Sequence, residues 1–425
     1  MKKCWFFFIL LFLFACKKEG DKTLPIITIT SPSGGFPSFS FGEFIPVQIE
    51  VSDNEELSKL ILEIKGSSTN QVLASYSRSL SGTEDIISRS FPFDDVHIDS
   101  GNYLIKATAE DAAGNTKTAF QDIQVFGAPL ELLSVGTISQ VGAMVRIDTL
   151  GNGAFNQASM FQGDFSACAI SSYFQELLIG EASNAAVQII EPLTWQITST
   201  YSNGGSISND HFRDIHFDNI ALEYYCSTFD GKILVLKNAA VPTRTIDLPA
   251  GFEANQVFTS NGFIVCSAKQ TGTNNHVIIT FNQQTGTFQN SISLDSEVLD
   301  LLAFEDLMLV VRGNAIEVFN PSSSDLDNFN WLASSEPILA VVEGFAGYYA
   351  VAHEDGIYFY KFGENLLVFP DNQLVAKEMH FNPINNLVYV LTNDAVALVD
   401  GTNASVVSSF PVSDQAKHFF LRFNK

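Results

Sequence analysis

From Pro25 to about Phe126 the chain alternates apolar and polar residues in short runs, among them "PIITITSP", "IPVQIEVSDN", "LSKLILEIKG", "NYLIKATAEDAAGN" and "KTAFQDIQV". Gly, Pro, Asn and Asp clusters separate the runs. Alternation with a period of two marks strands that bury one face, and about seven such runs in about a hundred residues predict a β-sandwich over residues 25–127. Asp111 to Asn115 supplies a tight turn in which Gly114 can take a positive φ.

From Leu130 onward a longer pattern recurs every 38 to 47 residues or so: an inner apolar strand, then a strand pair whose second member ends in Asp, Asn or Glu. The pairs include "MVRIDTLGN", "VIITFNQQTG", "IEVFNPSSS" and "VALVDGTNA"; the inner strands include "FRDIHFDN", "VLDLLAFED", "AKEMHFNP" and "AKHFFLRFN". Self-similarity at this period, with four strands per unit and no helical segment, predicts a β-propeller over residues 130–425, with seven blades. An Asp or Asn at the end of the strand can accept its own turn amides and close the hairpin. The first unit lacks an inner strand and the last run has no partners after it, so the C-terminal strand is expected to complete the first blade and leave no open edge. The fold class is all-β.

The first residues follow a different rule. Lys2 and Lys3 precede eleven apolar residues, Trp5 to Ala15, and then Cys16. Such a run is too short to cross a hydrocarbon core of about 30 Å and suits a signal peptide at 1–15, followed by a polar tether at 16–24. Leu13-Phe14-Ala15-Cys16 resembles the bacterial lipobox, which implies that Cys16 is lipidated; an ordinary secretory signal is the alternative. Each buried CH₂ contributes about 0.8 kcal/mol, so several acyl chains anchor a protein durably. "KKEGDKTL" resembles the surface-export signal of Bacteroidota lipoproteins, which implies the cell surface, with the inner face of the outer membrane as the alternative.

Two further resemblances concern the folded parts. "GNYLIKATAEDAAGN" and "ITSPSGG" resemble bacterial immunoglobulin-like domains, and "VIITFNQQTGTFQNSISL" resembles the repeat of YVTN and quinoprotein-like propellers. The tryptophan signature of quinone-cofactor propellers is missing from most repeats, so no cofactor is predicted. Propellers share a shape and not a chemistry.

Composition narrows the partners. Asp and Glu number 47 against 23 Lys and Arg, a formal charge of -24 that argues against nucleic acid. Cys168, Cys226 and Cys266 lack metal-ligand spacing and read as small buried hydrophobes, with a Cys226–Cys266 bridge left open. Asp53, Asn54, Glu55 and Asp111 could converge at one end of the sandwich as a calcium site, though Asx side chains capping turns are the favoured reading.

Aligning the inner strands puts Ala167, Asp214, Gln256, Asp300, Ala340, Glu378 and His418 in one column. Period two then sends this column to the central channel and Ile215, Val257, Leu301, Val341, Met379 and Phe419 into the core. The longest loop entering an inner strand carries Asn209, Asp210, His211 and Arg213, which become candidate rim contacts. Trp195 and Trp331 are candidates for stacking or for filling space between sheets. No G-x-S-x-G, H-E-x-x-H, phosphate loop or dinucleotide fingerprint occurs in a fitting context. The expected role is therefore a lipid-anchored envelope binding protein in which the sandwich acts as spacer and the propeller captures a small molecule, a glycan or another envelope protein, such as an outer-membrane transporter. The alternative is a hydrolase or lyase with its site on the rim of the channel.

Overall fold

A computed structural model describes residues 21–68, 71–202, 211–237, 241–333, 336–361, 366–368, 373–413 and 415–425, with side chains omitted at 327–333 and 366–368. The signal segment, Cys16 and the start of the tether lie outside the described residues. The chain divides into two compact units, Met1–Pro129 and Leu130–Lys425. Among the described residues the sole helical element is a short 3₁₀ turn, Phe345–Gly347, and no helix is long and apolar enough to cross a membrane.

The first unit is two sheets over one core. Strands Ile26–Ser31, Phe44–Ser52 and Glu84–Pro92 form a three-stranded sheet, and Ser38–Ser40, Thr116–Phe126, Gly101–Asp111, Leu57–Gly66 and Val72–Ser79 form a five-stranded one. The alternation read from the sequence is the burial pattern itself: Ile45, Val47, Ile49 and Val51 face inward from Phe44–Ser52, against Leu60, Leu62, Ile105 and Ile123 of the other sheet. Each such side chain contributes about 1.5–3 kcal/mol on burial. Tyr103 is buried too, and its hydroxyl donates to Gln71 Oε1 (2.7 Å) and to the Asp99 carbonyl (3.1 Å).

In the second unit the described residues form seven four-stranded antiparallel sheets. Six are continuous in sequence, and their inner strands are Ala167–Ser171, Phe212–Asp218, Phe252–Ser260, Asp300–Phe304, Ala340–Glu343 and Glu378–Asn382. The remaining sheet joins the two ends of the unit: Ala416–Phe423 pairs with Leu132–Val141, which pairs in turn with Met144–Gly151 and Ala154–Gln162. Each inner strand touches the next, and Ala416–Phe423 touches both Glu378–Asn382 and Ala167–Ser171, so the circuit closes. Seven apolar clusters fill the junctions between neighbouring sheets.

Turn chemistry follows the strand ends. Asn282, Asn320 and Asp400 each accept an amide from their own turn through Oδ1, from Thr285 (3.0 Å), Ser322 (3.0 Å) and Thr402 (2.7 Å) respectively. Asp148 is used differently, as an ion-pair partner of Arg146 at 2.7 Å.

Cys226 and Cys266 are free thiols, so no bridge joins them. They occupy equivalent places in successive sheets, each facing the sheet before it: Cys226 packs with Leu178 and Phe212, Cys266 with Tyr225 and Val235. The body of one sheet therefore stands between the two sulfurs.

Candidate functional site

The inner strands deliver their alternate residues to the axis of the second unit. Ile215, Val257, Leu301, Val341, Met379 and Phe419 are all buried between sheets. Their preceding neighbours Asp214, Gln256, Asp300, Ala340, Glu378 and His418 line a single cavity of about 430 Å³. Ala167 is instead buried in a sheet junction beside Phe212 and Ile215.

Within the cavity one carboxylate is well supported. Glu378 Oε2 accepts the Phe419 amide at 2.9 Å and lies 3.3 Å from His418 Nδ1, and its Oε1 lies 3.1 Å from His380 Nε2. Burial alone would raise the Glu378 pKa, but the charge of His418 and hydrogen bonds from both imidazoles hold it well below the usual carboxylate range. The reciprocal effect raises His418 despite its own burial, which works in the opposite direction. Each partner thus favours the charged form of the other.

The other two carboxylates are poorly compensated. Asp214 Oδ2 accepts the Val257 amide of the next inner strand at 3.0 Å, and Asp300 Oδ1 accepts the amide of Leu301 at 2.8 Å. Burial nevertheless pushes Asp214 up to about 6, and burial together with the charges of Asp214 and Glu378 pushes Asp300 up to about 7. Gln256 adds a buried side-chain oxygen with no hydrogen-bond partner, while its amide nitrogen donates to the Leu299 carbonyl. Lys377, just ahead of strand Glu378–Asn382, and Lys417, on strand Ala416–Phe423, also line the cavity, and both are exposed.

Period two could have found His380, which lies two residues after Glu378 and so shares its face. His216 shares a face with Asp214 in the same way. Burial pushes its pKa down to about 4, and its Nε2 lies 3.0 Å from Thr259 Oγ1.

The rim loop is only partly described. Asn209 and Asp210 lie outside the described residues. His211 is fully buried, with its amide donating to the Ala182 carbonyl (3.0 Å) and its carbonyl accepting from Phe229 (2.7 Å), so its ring is not presented to solvent. Arg213 is exposed, with its guanidinium 5.1 Å from the Phe229 ring centroid. The Trp195 ring fills space between sheets, 6.0 Å from Phe420; the Trp331 side chain lies outside the described ones.

A larger cavity of about 750 Å³ lies between the sheets of Phe212–Asp218 and Phe252–Ser260. Its charges are spent on one another: Gln283 Nε2 donates to Asp218 Oδ2 (2.6 Å), Tyr225 to Glu223 Oε2 (2.8 Å), and Arg244 lies 3.5 Å from Glu223. The axial cavity, where burial still holds two carboxyls well above their ordinary range, is the better candidate.

No family model matches the sequence, and no curated protein matches it. Solved structures do match in shape. A chain of the mitotic checkpoint complex aligns with a TM-score of 0.50 at 9% identity, over 66% of this chain and 84% of that one. The WD40 domain of Neurospora crassa Pan2 aligns at 0.49 and 10% identity, over 61% and 82%, and the WD40 β-propeller domain of Doa1 at 0.47 and 11%, over 61% and 86%. At such identities the likeness concerns fold alone. The closed circuit of seven four-stranded sheets makes the second unit a β-propeller.

Proposed function

We propose that this chain is a lipid-anchored cell-envelope protein, displayed on the surface of an outer membrane, in which an immunoglobulin-like spacer carries a seven-bladed propeller that captures a ligand in its axial cavity. The observation that carries this reading is the pair Asp214 and Asp300. Both face a cavity of about 430 Å³, and the charges of His418 on Asp214 and of His380 on Asp300 offset burial only in part, leaving the two at about 6 and about 7. A cavity of that size suits a small molecule or the end of a larger one. A ligand with an ammonium or other cationic group would relieve the repulsion and draw both aspartates into their ionised form.

Two measurements test it. Thermal shift over a panel of amines, neutral sugars and cofactors should show stabilisation by cationic ligands that is lost in Asp300→Asn. Stabilisation confined to neutral sugars, or unchanged in that variant, would overturn the ligand class. For the anchor, Cys16→Ala should move the protein from the membrane to the soluble fraction and abolish acyl labelling; retention in the membrane would refute lipidation at that residue.

One observation favours a second reading. Two carboxyls raised into the range of 6 to 7 beside an ionised Glu378 are suited to general acid and base work, as in a hydrolase or lyase. Turnover of a bound ligand with a bell-shaped pH profile, lost in both Asp214→Asn and Asp300→Asn, would select this reading over simple capture.

A further inference from the structure

The axial cavity has a second tier. Two residues beyond Asp214, Gln256, Asp300, Ala340 and Glu378 on the same inner strands stand His216, Phe258, Leu302, Val342 and His380, and all of these line the same cavity. Two residues of extended chain span about 6–7 Å, so the carboxylates and this largely apolar tier are neighbours along the axis. Phe258 holds the central place. Its strand, Phe252–Ser260, runs between the strands of Asp214 and Asp300 and touches both. Lys377, His380, Lys417 and His418 belong to the last two inner strands or lie just ahead of one, and among the described lining residues the arc from Asp214 to Asp300 carries no lysine or arginine.

The rings on that arc are fixed. His216 and Phe258 lie with centroids 4.3 Å apart and planes 37° from parallel, and both are half-buried. His216 Nε2 lies 3.0 Å from Thr259 Oγ1, and burial pushes its pKa down to about 4, so it stays an uncharged π surface at neutral pH. A ligand cation over an aromatic face is attracted by the ring quadrupole, most strongly where water is excluded.

Hydrogen-bonding capacity decides which cation fits. Asp214 Oδ2 and Asp300 Oδ1 already accept backbone amides, at 3.0 and 2.8 Å, and the side chains of Phe258, Leu302 and Val342 offer no acceptor to the three N–H groups of a primary ammonium. Enclosed donors without acceptors are unfavourable. A fully N-methylated nitrogen carries the charge without a donor, and its methyl groups match an apolar wall. Given the cationic-ligand reading above, on which this rests, we propose that the axial cavity selects a quaternary ammonium group, seated against Phe258 and His216 with Asp214 and Asp300 as its counter-charge.

The test is calorimetric titration of the full chain with choline chloride, with ethanolamine hydrochloride and with dimethylbutanol, the uncharged carbon analogue of choline, at matched ionic strength. Choline should bind about tenfold more tightly than ethanolamine, and dimethylbutanol should not bind. Phe258→Leu keeps an apolar side chain and should keep the circular dichroism spectrum of the wild type. It should bring choline down to the ethanolamine level and leave ethanolamine unchanged, whereas Phe258→Tyr keeps the ring and should keep the preference. Asp300→Asn should weaken both ammonium compounds. Equal binding of the two by the wild type, equal weakening of both in Phe258→Leu, or binding of dimethylbutanol as tight as that of choline would each overturn the proposal. Failure of the cationic-ligand reading looks different: neither ammonium compound would then bind the wild type, and the proposal would fall with it.

Discussion

Gly136 and Phe420 are register partners across the pairing of Leu132–Val141 with Ala416–Phe423, and the tip of the phenyl ring occupies the space of the side chain that Gly136 lacks. A β-carbon at Gly136 would collide with Phe420 Cζ. The ring is 3% exposed and packs with Ile138, Leu177 and Ile179. Around this contact Arg422 Nε donates to Ser134 Oγ (3.1 Å), Phe423 N to Ser172 Oγ (3.0 Å) and Asn424 N to the Glu131 carbonyl (3.0 Å).

Gly136→Ala should therefore cost about 1–3 kcal/mol by overpacking the closure. Combining it with Phe420→Leu should recover part of that loss, giving a coupling of about 1 kcal/mol in a double-mutant cycle measured by denaturant unfolding. Strict additivity of the two changes would show that the ring does not meet the glycine.

Asp300→Asn is expected to stabilise the protein at alkaline pH while it removes ligand binding. The folded pKa, about 7, stands above the ordinary 3.8, so the native state binds the extra proton and loses stability as pH rises from about 4 through 7. Asparagine escapes that loss. Melting temperatures of the two proteins should coincide near pH 4 and separate by pH 8, the variant melting higher; a variant that melts lower at pH 8 would contradict the burial argument.

The Glu378–His418 pair acts with the opposite sign. Glu378, held below its ordinary 4.5, contributes stability above that pH and loses it as pH falls through its folded value; His418, raised above 6.5, contributes fully below 6.5 and loses it as pH rises through its folded value. Support from the pair is thus greatest between about pH 4.5 and 6.5. Glu378→Gln should cost about 1 kcal/mol in that window, a modest figure because the His418 side chain keeps 39% of its exposure. Nuclear magnetic resonance titration of the variant should show the His418 pKa falling, since burial is then opposed by the charge of Asp214 alone.

Burial raises the thiol pKa of Cys168, Cys226 and Cys266, and the last two are fully enclosed. Alkylation of Cys226 and Cys266 should be negligible in native protein and complete in denaturant, and reductant should leave the melting temperature unchanged. A bridged Cys226–Cys266 peptide in a non-reduced digest would refute this.

Strand alternation was legible because each strand buries one face, and Ile45, Val47, Ile49 and Val51 show it residue by residue. The pairing of Ala416–Phe423 with Leu132–Val141 was legible from a repeat that lacked one strand at its start and held one too many at its end. The axial column was legible for the same reason as His380, by counting in twos from Asp214, Asp300 or Glu378. What could not be read was convergence of distant segments. Asp21 looks like part of a polar tether, and only the folded turns bring it to Asp53 and Asp111; Glu55 is not a member of that group. His211 follows a polar loop in sequence, yet backbone bonds to Ala182 and Phe229 draw it inward. Equivalent positions in successive repeats suggested a bond between Cys226 and Cys266, but rotation about the axis carries equivalent atoms apart.

Because residues 416–423 are the ones that meet residues 132–141, the propeller cannot be finished until those residues have been synthesised. Nearly three hundred residues must emerge and wait, with one edge of the first sheet bare, before the ring gains its last contact. A stop codon anywhere ahead of Ala416 should then act as a null allele, leaving open-edged fragments to proteolysis.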